Sequence, residues 1–298
     1  MEKLLAGTYN TCIEKVTTKY LGRPFHIERI IKNEVSSMHA AARFCGNGYD
    51  VFVKKGYKSY SMDMMTQEAI CLDYVRENSM IKTPEVVAVL QAEDGSVLLV
   101  LEAVKVVKPE TACDWETLGR GLALMHQTQG SRCGFHTHTY LGVFRQDNTY
   151  EDSWEEFFGR RRLFDTMKMA VDAGNMTPEQ CRKIEQLAAR LPEICGPKQA
   201  FSLLHGDPWP GNLLFDGKQM IAIDCGIYYG NREIDLSTVD FFYPVTERFF
   251  AAYHEVYPID SGYEERKDLW RINQWLGHVT LYGGKYMGRL MAAVDKYL

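Results

Sequence analysis

The stretch LLHGDPWPGNLLFD, residues 203–216, decides how the rest of the chain is read. Two prolines and two glycines between Gly206 and Gly211 bar a helix there, since proline removes a backbone donor and both residues favour turns. Held on that loop are Asp207 and, five residues on, Asn212; the next apolar run, MIAID, closes on Asp224. A carboxylate, an amide and then a strand-ending carboxylate is the order kinases use for phosphoryl transfer. The first accepts the proton of an attacking hydroxyl, and the other two hold a cation against phosphates. Oxygen donors of this kind suit Mg²⁺ and not zinc. Gly226, in DCG, lets the chain turn just beyond Asp224.

The first hundred residues supply a complement. DVFVK (50–54) is a short strand-like run that ends on Lys54, where a kinase keeps its phosphate-holding lysine. MDMMTQEAICLDYVREN (62–78) sets Met65, Ala69, Leu72 and Val75 on one helical face. Glu68 shares that face, and a carboxylate there needs a partner. An ion pair with Lys54 is expected. SVLLVLEA (96–103) reads as a second strand whose end, Glu102 and Ala103, joins two halves of the chain where backbone groups would meet adenine.

Beyond Ala103 the pattern turns helical. CDWETLGRGLALMHQ repeats Trp115, Leu118, Leu122 and Met125 behind Asp114 as N-cap. SWEEFFGRRRLFDTMKMAV opens with Ser153 and Glu156 at capping-box spacing. TPEQCRKIEQLAARLP has Thr177 as cap, Pro178 at the first helical position and Pro192 as stop. Helices resume from about Ile234. These elements predict a small strand-rich lobe, residues 1–103, and a larger helical lobe, 104–298, with a ligand seam between them.

Composition excludes several classes. With 46% hydrophobic residues the chain can bury a sizeable core, and a net charge of −5 provides no basic field for nucleic acid or anionic membrane. The eight cysteines form no CxxC pair, which argues against zinc or a disulfide framework and for reduced thiols in the cytoplasm. The N-terminus lacks a clean apolar signal stretch, and no run approaches a membrane span. HTH (136–138) reads as polar surface, GRRRL (159–163) as solvated arginines with one or two salt bridges, His126 as a packed helix histidine, and residues 240–257 as mainly helical core. His205 reads as an orienting loop residue.

HGDPWPGN, with IDCGIYYGNREIDLS (223–237), AAYHEVYPIDSGYEERKDLW (251–270), HVTLYGGKYMGR (278–289) and NTYEDSWEEFFGRRRL (148–163), resembles the fructosamine (ketosamine) kinases, within the aminoglycoside-phosphotransferase-like kinases. The resemblance implies an α+β, protein-kinase-like two-lobe fold and ATP-dependent phosphorylation of a sugar hydroxyl on a small ketosamine. It implies Asp207 as catalytic base, Asn212 and Asp224 as Mg²⁺ ligands, and Lys54 with Glu68 as the phosphate-anchoring pair. Trp209 would present an aromatic face to the sugar. Tyr229, Arg232, Glu233 and His278 lie in matching blocks and are candidates for the substrate pocket. A monomer or weak homodimer is expected.

The chain departs from that family before Lys54. Where relatives carry a glycine-rich turn, this sequence reads NEVSSMHAAARFCGNGYDVFVK, with Ser36 and Ser37 where the turn approaches phosphates. Two rival readings follow: a kinase for another hydroxylated amine, such as an aminoglycoside or a choline-like compound, or a nucleotide-binding pseudokinase. Retention of Lys54, Glu68, Asp207, Asn212 and Asp224 argues against the second.

Overall fold

The computed structural model describes residues 2–32 and 40–298, so Ser36 and Ser37 lie outside the described residues. The chain begins with helices α1 (Glu2–Leu5) and α2 (Asn10–Leu21), then strands β1 (Ile27–Lys32), β2 (Ala40–Gly46) and β3 (Asp50–Gly56). Helix α3 (Ser61–Asn78) follows, and β4 (Val86–Gln91) and β5 (Val97–Glu102) complete an antiparallel sheet of order β1-β2-β3-β5-β4.

Alternation along these strands sorts side chains between two cores. Val51 and Val53 of β3, with Leu98 and Val100 of β5, pack under α1 and α2 around Leu4, Ile13 and Phe25. Val97, Leu99 and Leu101 turn to the opposite face, against Met65, Leu72 and Val75 of α3. Lys54 stands opposite Leu99 in the β3–β5 register, so the same alternation turns it toward α3. The core under α3 continues into the helical part, which makes the two regions one packed body.

The rest runs through α4 (Ala112–His126), β6 (Gln129–Gly130), the hairpin β7 (Thr139–Leu141) and β8 (Phe144–Gln146), and α5 (Trp154–Phe157). A π-helical stretch, Phe158–Phe164, leads into α6 (Asp165–Asp172) and α7 (Pro178–Ile194). Short strands β9 (Phe201–Leu204), β10 (Leu213–Phe215), β11 (Met220–Ala222) and β12 (Tyr228–Gly230) carry the decisive loop and its return. Helices α8 (Glu233–Val239), α9 (Glu247–Val256), α10 (Tyr263–Tyr282) and α11 (Met287–Asp295) close the fold.

Local readings mostly hold, with instructive shifts. Thr111, not Asp114, caps α4; Asp114 is three residues in and its carboxylate accepts from the Thr111 N–H in return, closing a capping box. Thr177 and Gln180 close another on α7, but that helix continues through Pro192 to Ile194. Ser153 accepts from the Glu156 N–H, while its hydroxyl donates to Glu155 instead of completing a box. In the GRRRL run Arg162 is fully buried, not solvated. It stacks 4.0 Å over Tyr228 and donates to Asn148 Oδ1 at 2.7 Å, since a guanidinium can trade water for aromatic faces and oxygens. Phe241–Tyr243 form a loop before α9 rather than helical core.

Candidate active site

The Asp207 loop lies between β9 and β10, and Asp224 follows β11; β10 and β11 are a hairpin, so pairing Leu213 with Ala222 brings the two acids to one side. Asn212 donates both amide hydrogens to Asp207, to its carbonyl at 3.0 Å and to its Oδ2 at 3.2 Å. The Asn212 amide oxygen is thereby left as a donor for a cation. Asp224 is, among the described residues, the only non-glycine with positive φ, at 54°. That left-handed conformation is strained for a residue with a side chain, and such strain concentrates at functional sites.

Lys54 links the strand-rich lobe to this loop. Its buried ammonium lies 2.6 Å from Glu68 Oε1 and contacts Asp224 Oδ1 as well. Burial alone would lower the Lys54 pKa, but the carboxylates of Asp224 and Glu68 outweigh it and the net direction is upward. Glu68 is also pushed up, by burial first and by the second carboxylate, against the pull of Lys54. One ammonium thus serves two acids, which leaves a net negative charge suited to a further cation beside Asp224. Burial and the charges of Asp224 and Asp235 push Asp207 up to about 7, a value suited to a general base near neutral pH.

The loop backbone is anchored by Asp235, which the reading of the sequence passed over. Its carboxylate accepts the N–H groups of His205 (2.6 Å) and Gly206 (3.1 Å) and lies 3.1 Å from His126 Nε2. His126 Nδ1 meets the Tyr253 hydroxyl at 2.7 Å, and Arg232 donates to that hydroxyl at 3.1 Å. Burial lowers the pKa of His126, so a neutral ring with its proton on Nε2 completes a one-way chain from Arg232 to Asp235. The only hint in the sequence was an acid between Ile234 and Leu236, two fully apolar neighbours. His205 is likewise buried with a lowered pKa, and its Nδ1 receives the Asp207 N–H at 3.3 Å, as an orienting residue should.

Lys54, Glu68, Asp207, Asn212 and Asp224 open onto one cavity of about 460 Å³, which Trp209 and His278 also line. Trp209 packs over Gly211: a Cβ on that glycine would sit 2.1 Å from the indole. Phe242 meets the Trp209 ring edge-to-face at 5.9 Å and His278 at 5.6 Å. Phe242, Tyr243, Leu281 and Tyr282 form an exposed apolar rim.

Three of the four residues drawn from matching blocks lie elsewhere. Arg232 ends the chain to Asp235 and lies 3.7 Å over the Tyr257 ring. Glu233 accepts four hydrogen bonds, from Gln199, Trp270 and twice from Arg266, and has nothing left for a substrate. Tyr229 joins Tyr74, hydroxyl to hydroxyl, at 3.0 Å. Their blocks build the frame of the site; His278 alone of the four reaches the cavity. Glu102 ends β5 at the seam and Ala103 follows it; their N–H groups are engaged by the carbonyls of Glu85 (2.8 Å) and Asp50 (3.0 Å), so neither offers a donor to a base.

A five-stranded lobe with a lysine–helix glutamate pair, joined to a helical lobe with an Asp–Asn loop and a strand-end Asp, defines a protein-kinase-like phosphotransferase fold. The fructosamine kinase family profile matches residues 9–298, and the chain belongs to that family. Among curated proteins it is 28% identical over 284 residues to the chloroplastic protein-ribulosamine 3-kinase of Arabidopsis thaliana, covering 93% of this chain and 85% of that one. Among solved structures, the putative fructosamine-3-kinase of Haemophilus somnus 129PT superimposes with a TM-score of 0.85 at 25% identity, covering 96% of each chain. A thermostable mutant of an aminoglycoside phosphotransferase shares the fold alone, with a TM-score of 0.58 at 15% identity over 95% of this chain and 98% of that one.

Proposed function

We propose that this protein transfers the γ-phosphoryl group of ATP to a sugar hydroxyl of a small ketosamine. The observation that carries this reading is the convergence of Lys54, Glu68, Asp207, Asn212 and Asp224 on a cavity walled by Trp209. The acceptor oxygen attacks the terminal phosphorus as its proton passes to Asp207; the bond to the bridging oxygen breaks and ADP leaves. Lys54, kept in line by Glu68, binds the phosphates. Trp209 holds the sugar against Asp207, and His278 lines the same cavity.

Mg²⁺ suits the donor set. The chain contributes only the Asn212 amide oxygen and Asp224, and among the described residues no group of three or more His, Cys, Asp or Glu is arranged to hold a metal. Few protein ligands, both oxygen, fit a cation that keeps waters and phosphate oxygens around it. When bound, the ion neutralises charge on the phosphates. The boundary between nucleotide and acceptor lobes is assigned to 103/104. The protein acts as a monomer or weak homodimer in the cytoplasm, and the unpaired cysteine spacing supports the compartment.

The acceptor is tested by offering ribulosamine- and fructosamine-type adducts of lysine beside free sugars, choline and aminoglycosides, and following ADP release. Turnover confined to the adducts is expected. Turnover of an aminoglycoside or choline with the adducts ignored would keep the chemistry and overturn the acceptor.

A further inference from the structure

The segment Phe135–Gln146 has no part in the reaction as drawn, yet it touches three elements of the site. It lies first against α3: Thr137 donates to Gln67 Oε1 and Tyr140 to Asp63 Oδ2, each at 2.7 Å, while Phe135 meets Tyr74 edge-to-face at 4.8 Å. Asp63, Gln67 and Tyr74 form one stripe of the helix, distinct from the one that carries Glu68. The segment also presses on the Asp224 turn, because a Cβ on Gly226 would sit 2.5 Å from the Tyr140 carbonyl oxygen. Lastly, Tyr140, Leu141 and Phe144 wall the cavity itself.

This geometry sets a mechanical problem. Glu68 reaches Lys54 only while α3 stays against the sheet, and an outward shift would strand a partly buried carboxylate without its ammonium. The helix belongs to the strand-rich lobe, but the hydrogen bonds on its outer stripe come from the helical lobe. Among them, the bond from Tyr140 to a carboxylate is charge-assisted and starts from the wall of the acceptor cavity. We propose that Tyr140 is a positioning residue that ties the acceptor wall to α3 and so keeps Glu68 on Lys54. The inference rests on the phosphotransferase reading of the site and not on which acceptor it takes.

Four forms of the full chain test it: wild type, Tyr140→Phe, Asp63→Ala and the double variant, with Asp63→Asn as a conservative control that still accepts the hydrogen bond. Mg²⁺–ATP affinity is measured by calorimetry and amide exchange across residues 61–72 by mass spectrometry, followed by kcat and acceptor KM with a fructosamine-type lysine adduct. Tyr140→Phe and Asp63→Ala are each expected to weaken Mg²⁺–ATP and lower kcat roughly three- to tenfold, the range one net hydrogen bond spans. Exchange in α3 should quicken in both, the double variant should be no worse than either, and Asp63→Asn, which keeps an acceptor but loses the charge, should fall between wild type and Asp63→Ala. Unchanged nucleotide affinity and exchange would overturn the proposal, whether acceptor KM rises, which makes Tyr140 an acceptor contact, or only thermal stability falls. Additive losses in the double variant would overturn it too. If wild type ignores the adduct, the acceptor assignment fails while affinity and exchange still judge Tyr140.

Discussion

The Asp207 loop and the aromatic rim beside it border one cavity, but they are held in different ways. The loop is anchored from below: two backbone N–H groups sit on the buried carboxylate of Asp235, and Asn212 ties both ends of the turn together. The rim is carried by the end of α10, with Leu281 and Tyr282, and by a surface loop, with Phe242 and Tyr243. The root of that loop is held at Asp240, which Lys267 and Arg271 grip at 2.7 and 2.5 Å, while Phe242 and Tyr243 remain 43% and 65% exposed. Chemistry needs the reacting groups fixed within fractions of an ångström. Recognition of a variable adduct tolerates, and benefits from, side chains that can adjust. On the proposed function, the two regions would divide rate from selectivity.

The largest effect expected is on the anchored side. Asp207→Asn keeps the shape of the loop but removes the proton acceptor, so kcat should fall by about 10²–10⁴ while calorimetry finds Mg²⁺–ATP binding intact. The same substitution should stabilise the nucleotide-free protein. A carboxyl with a folded pKa near 7 against an ordinary value near 3.8 holds more protons folded than unfolded, so its contribution to stability falls as pH rises through that window. Thermal melts should therefore find Asp207→Asn more stable above pH 7, with the difference vanishing below about pH 4. Equal kcat in the variant would remove Asp207 from the chemistry.

Next in size is the anchor. Asp235→Ala leaves two N–H groups and His126 without their acceptor, at about 1–3 kcal/mol for each buried group. We expect a lower melting temperature together with a fall in kcat of roughly one to two orders of magnitude. Loss of stability with full kcat in the folded fraction would mean the loop needs no anchor.

pH should act more gently. The base must be ionised, so kcat/KM should drop about tenfold for each pH unit below the Asp207 pKa. That pKa is about 7 in the free protein, and a divalent cation at Asp224 favours the ionised form and moves the limb to lower pH. A limb that ignores Mg²⁺ concentration would separate the base from the metal ligands.

The smallest effects belong where the two regions meet, at Trp209, which stands on the loop but packs against Phe242 of the rim. Trp209→Ala should raise acceptor KM by roughly tenfold, since an aromatic stacking contact is worth about 0.5–1.5 kcal/mol beyond its buried area. Nucleotide affinity should not change. A collapse of kcat with KM unchanged would move Trp209 from the selective wall to the catalytic floor and erase the contrast between the two regions.

By itself the sequence picked out five residues that the fold brings to one cavity. Asp207, Asn212 and Asp224 were legible because proline and glycine mark a loop and a strand-end acid is conspicuous there. Lys54 and Glu68 were legible because strand alternation and helical periodicity make a charge on an apolar face stand out; the structure pairs them at 2.6 Å. Tertiary structure decided everything that depends on residues far apart in the chain. Arg232, Glu233 and Tyr229 stand in the same blocks as pocket residues, and only packing shows that their polar atoms are spent on Tyr253, Arg266 and Tyr74. Asp235 meets its loop partners across some thirty residues, and Tyr140 meets Asp63 across seventy-seven. A local pattern fixes the face on which a side chain points; what stands opposite is set by how the whole chain closes, and no window of sequence contains it.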